Sequence, residues 1–276
     1  MKLSLVCSSL ILGCVAFVSC NNTTNNDSTQ PVADTTITEA VSNITLTPFS
    51  QESPVYENAA LKIKSVNVEK LGLDSAKVTI QYDVQNYELK AQTADATTKG
   101  CNNSKDGQHI HFIVNNEPYV ALYEPKHTFN VALNKEYFVM NFLSRSYHES
   151  VKNKEAYQLL HFSVDKNAKL TNLEIPNTPM VFFSRPKGDY VGKENTDKVL
   201  LDFYLVNSDL TNAKVKASIN GQEFAIDKWQ PYFIENAPMG PLDINLQLTN
   251  NEGTLLEGPN TSVSRTATLA ASEPVR

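Results

Sequence analysis

Two stretches decide the fold: "KVTIQYDVQNYEL" (77–89) and "KVLLDFYLVNSDL" (198–210). At one constant offset, Lys77, Val78, Asn86 and Leu89 match Lys198, Val199, Asn207 and Leu210. In the first copy Val78, Ile80, Tyr82 and Val84 alternate with polar residues. In the second, Val199, Leu201, Phe203 and Leu205 occupy the same places. A period of two sets such residues on one face of a β-strand, so each set is the core side of a strand.

The repeat extends outward from these strands. "HIHFIVNNEPY" (109–119) aligns with "KVKASINGQEF" (214–224), and each copy turns at an Asn-containing dipeptide, Asn115-Asn116 or Asn220-Gly221. Further strands are predicted at 137–142 and 157–164 in the first copy and at 243–248 and 262–269 in the second. Short strands, regular turns and almost no helical period predict two tandem β-sandwiches. The first is expected over 51–175 and the second over 176–276, with the boundary in the polar, Pro-punctuated "TNLEIPNTP" (171–179). The register follows by comparison. Val215, Ala217 and Ile219 are the core side of the second copy, so Ile110, Phe112 and Val114 are the core side of the first. His109, His111 and Ile113 then face outward, and the expectation is that they face water, like Lys214, Lys216 and Ser218.

The N-terminus reads differently. Lys2 followed by an apolar run to Val18, too short to span a bilayer, is a secretory signal peptide over 1–19. Ala16-Phe17-Val18-Ser19-Cys20 has the form of a lipobox, which predicts a lipid on Cys20. Residues 20–50 are rich in Asn, Thr, Ser, Asp and Gln and are expected to be a disordered tether. Cys7 and Cys14 leave with the leader and Cys20 carries lipid, so only Cys101 remains and no intrachain disulfide is possible. Loss of Lys2 takes Lys plus Arg from 24 to 23 against 30 acidic residues, a net charge of −7. That balance argues against nucleic acid as a partner.

The first copy holds what the second lacks. Nineteen residues separate Leu89 from His109, whereas three separate Leu210 from Lys214, so the first copy carries an inserted polar loop that includes Cys101. All five histidines, His109, His111, His127, His148 and His161, fall in the first copy. His109 and His111 share a strand face at a spacing able to hold copper or zinc, with His127, His148, Glu149 or Cys101 as candidate further ligands. His-x-His is a weak motif on its own, and two ordinary surface histidines are the plain alternative. A second reading is a pocket for a peptide or small anion. "FLSRSYHES" (142–150) gathers Arg145, Tyr147, His148 and Glu149, and "FFSRPKGDY" (182–190) adds Arg185. Tyr119 and Tyr123 complete its lining. A guanidinium grips an oxyanion with two parallel hydrogen bonds, although both arginines can equally serve to pair with local acids. No nucleophile elbow or phosphate-cradling glycine loop is present, so the chain reads as non-enzymatic.

The strings "GQHIHFIVNNEPYVALYEPKHTF" (107–129), "FLSRSYHES", "SRPKGDYVG" (184–192) and "PYFIENAPMG" (231–240) resemble a family of small exported lipoproteins of Gram-negative bacteria, over about residues 56–269. Some members are labelled phosphopeptide-binding. The resemblance implies immunoglobulin-like domains and a cell-envelope location; the lipid on Cys20 is the expected anchor, and Asn21 beside it, which carries no sign of inner-membrane retention, predicts the outer membrane. The resemblance transfers no site residues. The combined expectation is a membrane-anchored, non-enzymatic module that binds a peptide, protein or small anion through its first sandwich. The alternatives are a copper or zinc protein and a structural envelope component.

Overall fold

The computed structural model describes residues 43–49, 52–100 and 102–272. The leader, Cys20, most of the tether and Cys101 lie outside the described residues. The described residues open with β1 (Thr45–Pro48). They then form β2 (Ala60–Leu71), β3 (Ser75–Gln85), β4 (His109–Val114), β5 (Val120–Leu122), β6 (Lys126–Ala132), β7 (Lys135–Ser144), β8 (Tyr157–Val164) and β9 (Leu170–Asn172). A three-stranded sheet, β2-β3-β6, faces a five-stranded one, β5-β4-β7-β8-β9. The remainder supplies β10 (Met180–Arg185), β11 (Asp189–Val191), β12 (Lys198–Val206), β13 (Lys214–Ile219), β14 (Gln222–Ile226), β15 (Tyr232–Glu235), β16 (Gly240–Thr249) and β17 (Ser262–Ala270). Its sheets run β1-β15-β12-β10 and β11-β17-β16-β13-β14.

Strand order makes the two halves copies of each other. β2-β3-β6 opposite β5-β4-β7-β8 repeats as β10-β12-β15 opposite β14-β13-β16-β17. Strands A, B and E on one sheet and C, F and G on the other is the immunoglobulin-like arrangement. The protein is therefore all-β and immunoglobulin-like. Each half has its own core. Val78, Ile80 and Tyr82 meet Ile110, Phe112 and Val139 in the first, and Val199, Leu201 and Phe203 meet Val215, Ala217 and Ile244 in the second.

A third apolar layer lies between the halves. Ile113, Met140, Phe142 and Leu159, from the outer face of the five-stranded sheet, pack against Met180, Phe182, Tyr204 and Val206 on the outer face of β10 and β12. Four sheets are thus stacked, and the described residues behave as one compact unit. Each large apolar side chain so buried stabilises the stack by about 1.5–3 kcal/mol.

This layer corrects one expectation. The predicted register holds, since Ile110 and Phe112 face the first core and Ile113 faces away from it. The face holding His109 and His111, however, does not meet water: both histidines are fully buried. Alternation decides which side of a sheet a residue takes, but not what is stacked on that side. A second correction concerns the tether. Thr45–Pro48 form β1 and pair antiparallel with β15, Thr45 opposite Glu235 and Pro48 opposite Tyr232. Composition hid a short alternating pattern, in which Ile44 and Leu46 enter the second core while the Thr47 hydroxyl donates to Glu235 at 2.8 Å.

Candidate metal centre

β4 places His109 and His111 two residues apart on its outer face. β7 ends at Ser144, and the chain returns through a tight turn in which the Arg145 N–H donates to the Glu149 carbonyl and the His148 N–H to the Arg145 carbonyl, both at 2.9 Å. His148 takes φ = 69°, a left-handed conformation that few non-glycine residues adopt. Its ring turns back onto β4. His109 Nε2 then lies 3.0 Å from His111 Nε2 and 3.1 Å from His148 Nδ1. The three ligand-type nitrogens all fall within 4.8 Å of one another, and among the described residues they are the one such group.

The far side of each β4 ring is fixed. His109 Nδ1–H donates to the Gly107 carbonyl at 2.8 Å, and His111 Nδ1 pairs with the Ser184 hydroxyl at 3.0 Å. The Gly107 bond leaves the His109 Nε2 lone pair free to point into the cluster. Tyr119 stacks flat on His111 with ring centres 3.7 Å apart and a 6° tilt, and its hydroxyl reaches His148 Nδ1 at 3.3 Å. Orienting partners of this kind are what metal-ligating histidines require.

The inserted loop braces this arrangement. Gly107 has φ = 84°, and a Cβ there would lie 2.2 Å from the Lys90 carbonyl oxygen, so only glycine allows the loop to close. The loop zips shut through Gln108 N–H to the Ala91 carbonyl at 2.7 Å and Lys90 N–H to the Gln108 carbonyl at 2.8 Å. It also holds the His148 turn. The Ser146 N–H donates to the Thr93 hydroxyl at 3.0 Å and the Thr93 N–H to the Ser146 hydroxyl at 3.2 Å.

Burial sets the electrostatics. Desolvation pulls His109 down to about 4, with the Gly107 hydrogen bond opposing it and Arg185 adding to it. His111 and His148 are held well below the usual imidazole value, first by burial and then by neighbouring charges that include Arg185 and Lys187. All three rings are therefore neutral at pH 7, the form that binds metals.

The other expected site residues divide. Tyr123 lines the cluster, its ring centre 5.1 Å from His109 and its hydroxyl 2.7 Å from the Ser104 hydroxyl of the inserted loop. Arg185 is buried beside Tyr119. Arg145 is already committed, donating to the carbonyls of Ser150 at 3.0 Å and Pro54 at 2.7 Å and pairing with Glu149 at 3.5 Å. Glu149 also accepts from Ser53, so this pair fixes the turn. Tyr147 is fully buried against Phe49, Ala96 and Leu200. His127 packs on Phe112, and His161 bonds Glu136 and the Glu174 carbonyl, so neither joins the cluster. Sequence reasoning missed Ser184, Lys187 and the role of Gly107. The signal for Ser184 is its alternation with Met180 and Phe182 on β10, which places it on the outer face.

No family model matches the chain, and no curated protein matches it. Among solved structures it is similar to the fibronectin(III)-like modules of Clostridium thermocellum CbhA, at 10% identity over 78% of this chain and 97% of that chain, with a TM-score of 0.28. The fold assignment rests on the strand order itself.

Proposed function

We propose that this protein is a lipid-anchored, non-catalytic binding protein of the cell envelope that holds a copper or zinc ion through His109, His111 and His148. The convergence of three buried imidazole nitrogens, 3.0 and 3.1 Å from their shared member, carries this reading. Nitrogens each ~2.0–2.1 Å from one tetrahedral ion sit about 3.3 Å apart, close to the two distances about His109, and an ion would draw the His111 and His148 nitrogens, which lie within 4.8 Å, to that spacing. Without an ion, the single in-plane lone pair of His109 Nε2 meets two ring nitrogens at once, and one bond is poorly made. An ion would use one lone pair from each ring. An all-imidazole donor set suits zinc and copper over calcium or magnesium. Immunoglobulin-like sandwiches serve widely as binding or structural modules, and the envelope location follows from the lipobox at Cys20.

Metal analysis of the full chain, purified without a histidine tag and exposed to zinc or copper, tests this. Close to one ion per chain is expected, falling to background in His109→Ala and in His148→Ala. Retention of the ion by both variants, or no uptake by the parent, refutes the assignment.

A further inference from the structure

Among the described residues, the buried arginines and lysines are matched by acids, with one exception. Arg145 pairs with Glu149, Lys152 with the buried Asp202 at 2.7 Å, and Lys99 with Asp95 at 2.8 Å. Arg185 is only 6% exposed, yet no carboxylate among the described residues pairs with it, and its Nε lacks a hydrogen-bond partner. Its guanidinium carbon sits 5.9 Å from the ring centre of Tyr119, the ring stacked on His111, and 5.7 Å from that of Tyr190. Lys187 adds a second cation at the same place, with Nζ 4.6 Å from the Tyr119 ring centre and donating to the Tyr119 carbonyl at 2.7 Å.

Building on the metal-centre reading, we infer that the ion's remaining coordination position takes a small oxyanion, a carboxylate or a phosphate, gripped on its outer side by Arg185. Three neutral imidazoles bring no negative charge to a divalent ion, and the buried Arg185 and the exposed Lys187, both against Tyr119, add two positive charges nearby. A buried guanidinium with no counter-charge is costly, so a site built this way calls for an anion from outside the chain. A three-histidine ion leaves a position open for one. The planar fork of a guanidinium matches the two oxygens of a carboxylate or phosphate, which selects oxyanions over halides. Carboxylate and phosphate share this chemistry, and the separate arms of the test distinguish them.

The full chain is loaded with Co²⁺, whose visible bands report the ligand set, and titrated separately with acetate, inorganic phosphate and chloride. Acetate or phosphate is expected to shift the bands at concentrations where chloride does not. Arg185→Gln should take up cobalt to the same stoichiometry, which shows that it folds, and bind the responding anion roughly 10–100-fold more weakly. Arg185→Lys, which keeps the charge and loses the fork, should fall between. Bands that ignore both oxyanions, or an Arg185→Gln response equal to the parent's, overturn the anion site while leaving the metal centre intact. A parent chain that takes up no cobalt overturns both.

Discussion

β4 and β13 are the same strand in two settings. "HIHFIV" and "KVKASI" pair with β7 and β16 in matching antiparallel registers, and each turns Ile110 and Phe112, or Val215 and Ala217, into its own core. On the opposite face the two part. Lys214, Lys216 and Ser218 are partly open to solvent, whereas Ile113 is sealed beneath β10 and β12, His111 beneath Ser184 of β10, and His109 beneath Tyr123 and His148. The same fold therefore makes one sheet a surface and the other an interior layer. Imidazole suits such a layer because it can be buried neutral and still present a lone pair. Lysine does not, because its charge needs water or an acid.

Exchanging residues between the strands is the most severe way to break that comparison. His111→Lys buries an ammonium near Arg185, where no carboxylate among the described residues reaches, and is expected to cost about 3–5 kcal/mol in urea unfolding. A loss below ~1 kcal/mol would mean that the layer admits water. Phe142→Ala opens a cavity in the same layer, where Phe142 stacks on Tyr204 with ring centres 4.8 Å apart. A loss of about 3–5 kcal/mol is expected. Thermal unfolding of that variant should show the two halves beginning to melt apart, and a single unchanged transition would argue that the layer does not couple them.

Acid sharpens the contrast without mutation. The folded value of His109 is about 4. An unfolded imidazole sits near ~6.5, so between these values the unfolded chain binds more protons. Stability contributed by the buried neutral ring is full above that upper value and is lost as pH falls toward the lower one. Each of the three rings should add about 1.4 kcal/mol per pH unit within the window. Urea midpoints measured between neutral and mildly acidic pH should fall accordingly, and flat midpoints would show that the rings are not buried neutral. The smallest effect is expected from the reverse exchange. Lys216→His on the partly open face should change stability by less than about 0.5 kcal/mol, and a larger loss would mark that face as part of an interface.

The site was legible in unequal parts. Clustering of every histidine in one copy, the inserted loop ahead of His109 and the Ser-Arg stretches all pointed to the region where three imidazoles meet. His109 and His111 could be joined by strand period alone. His148 could not, because its meeting with them depends on a left-handed turn held by hydrogen bonds to Thr93 and Ser104 of the inserted loop. Arg145 and Arg185 look alike in sequence, each following a serine at the end of a strand. One lies against Glu149 and two backbone carbonyls while the other lies against tyrosine rings, a difference of neighbours rather than of residues. β1 was missed because six residues of alternation are faint within a polar run.

Alternation and repetition, read along the chain, were enough to determine an all-β protein of two like halves and which side of each strand meets its own core. Both are local properties, set by the two-residue pleat and by turn chemistry. Only the tertiary structure decided that the outer faces meet, that three imidazoles converge under the seam and that Arg185 has no acid paired with it among the described residues. Those outcomes depend on which surfaces bury each other, and apolar area seeks cover without regard to distance along the chain.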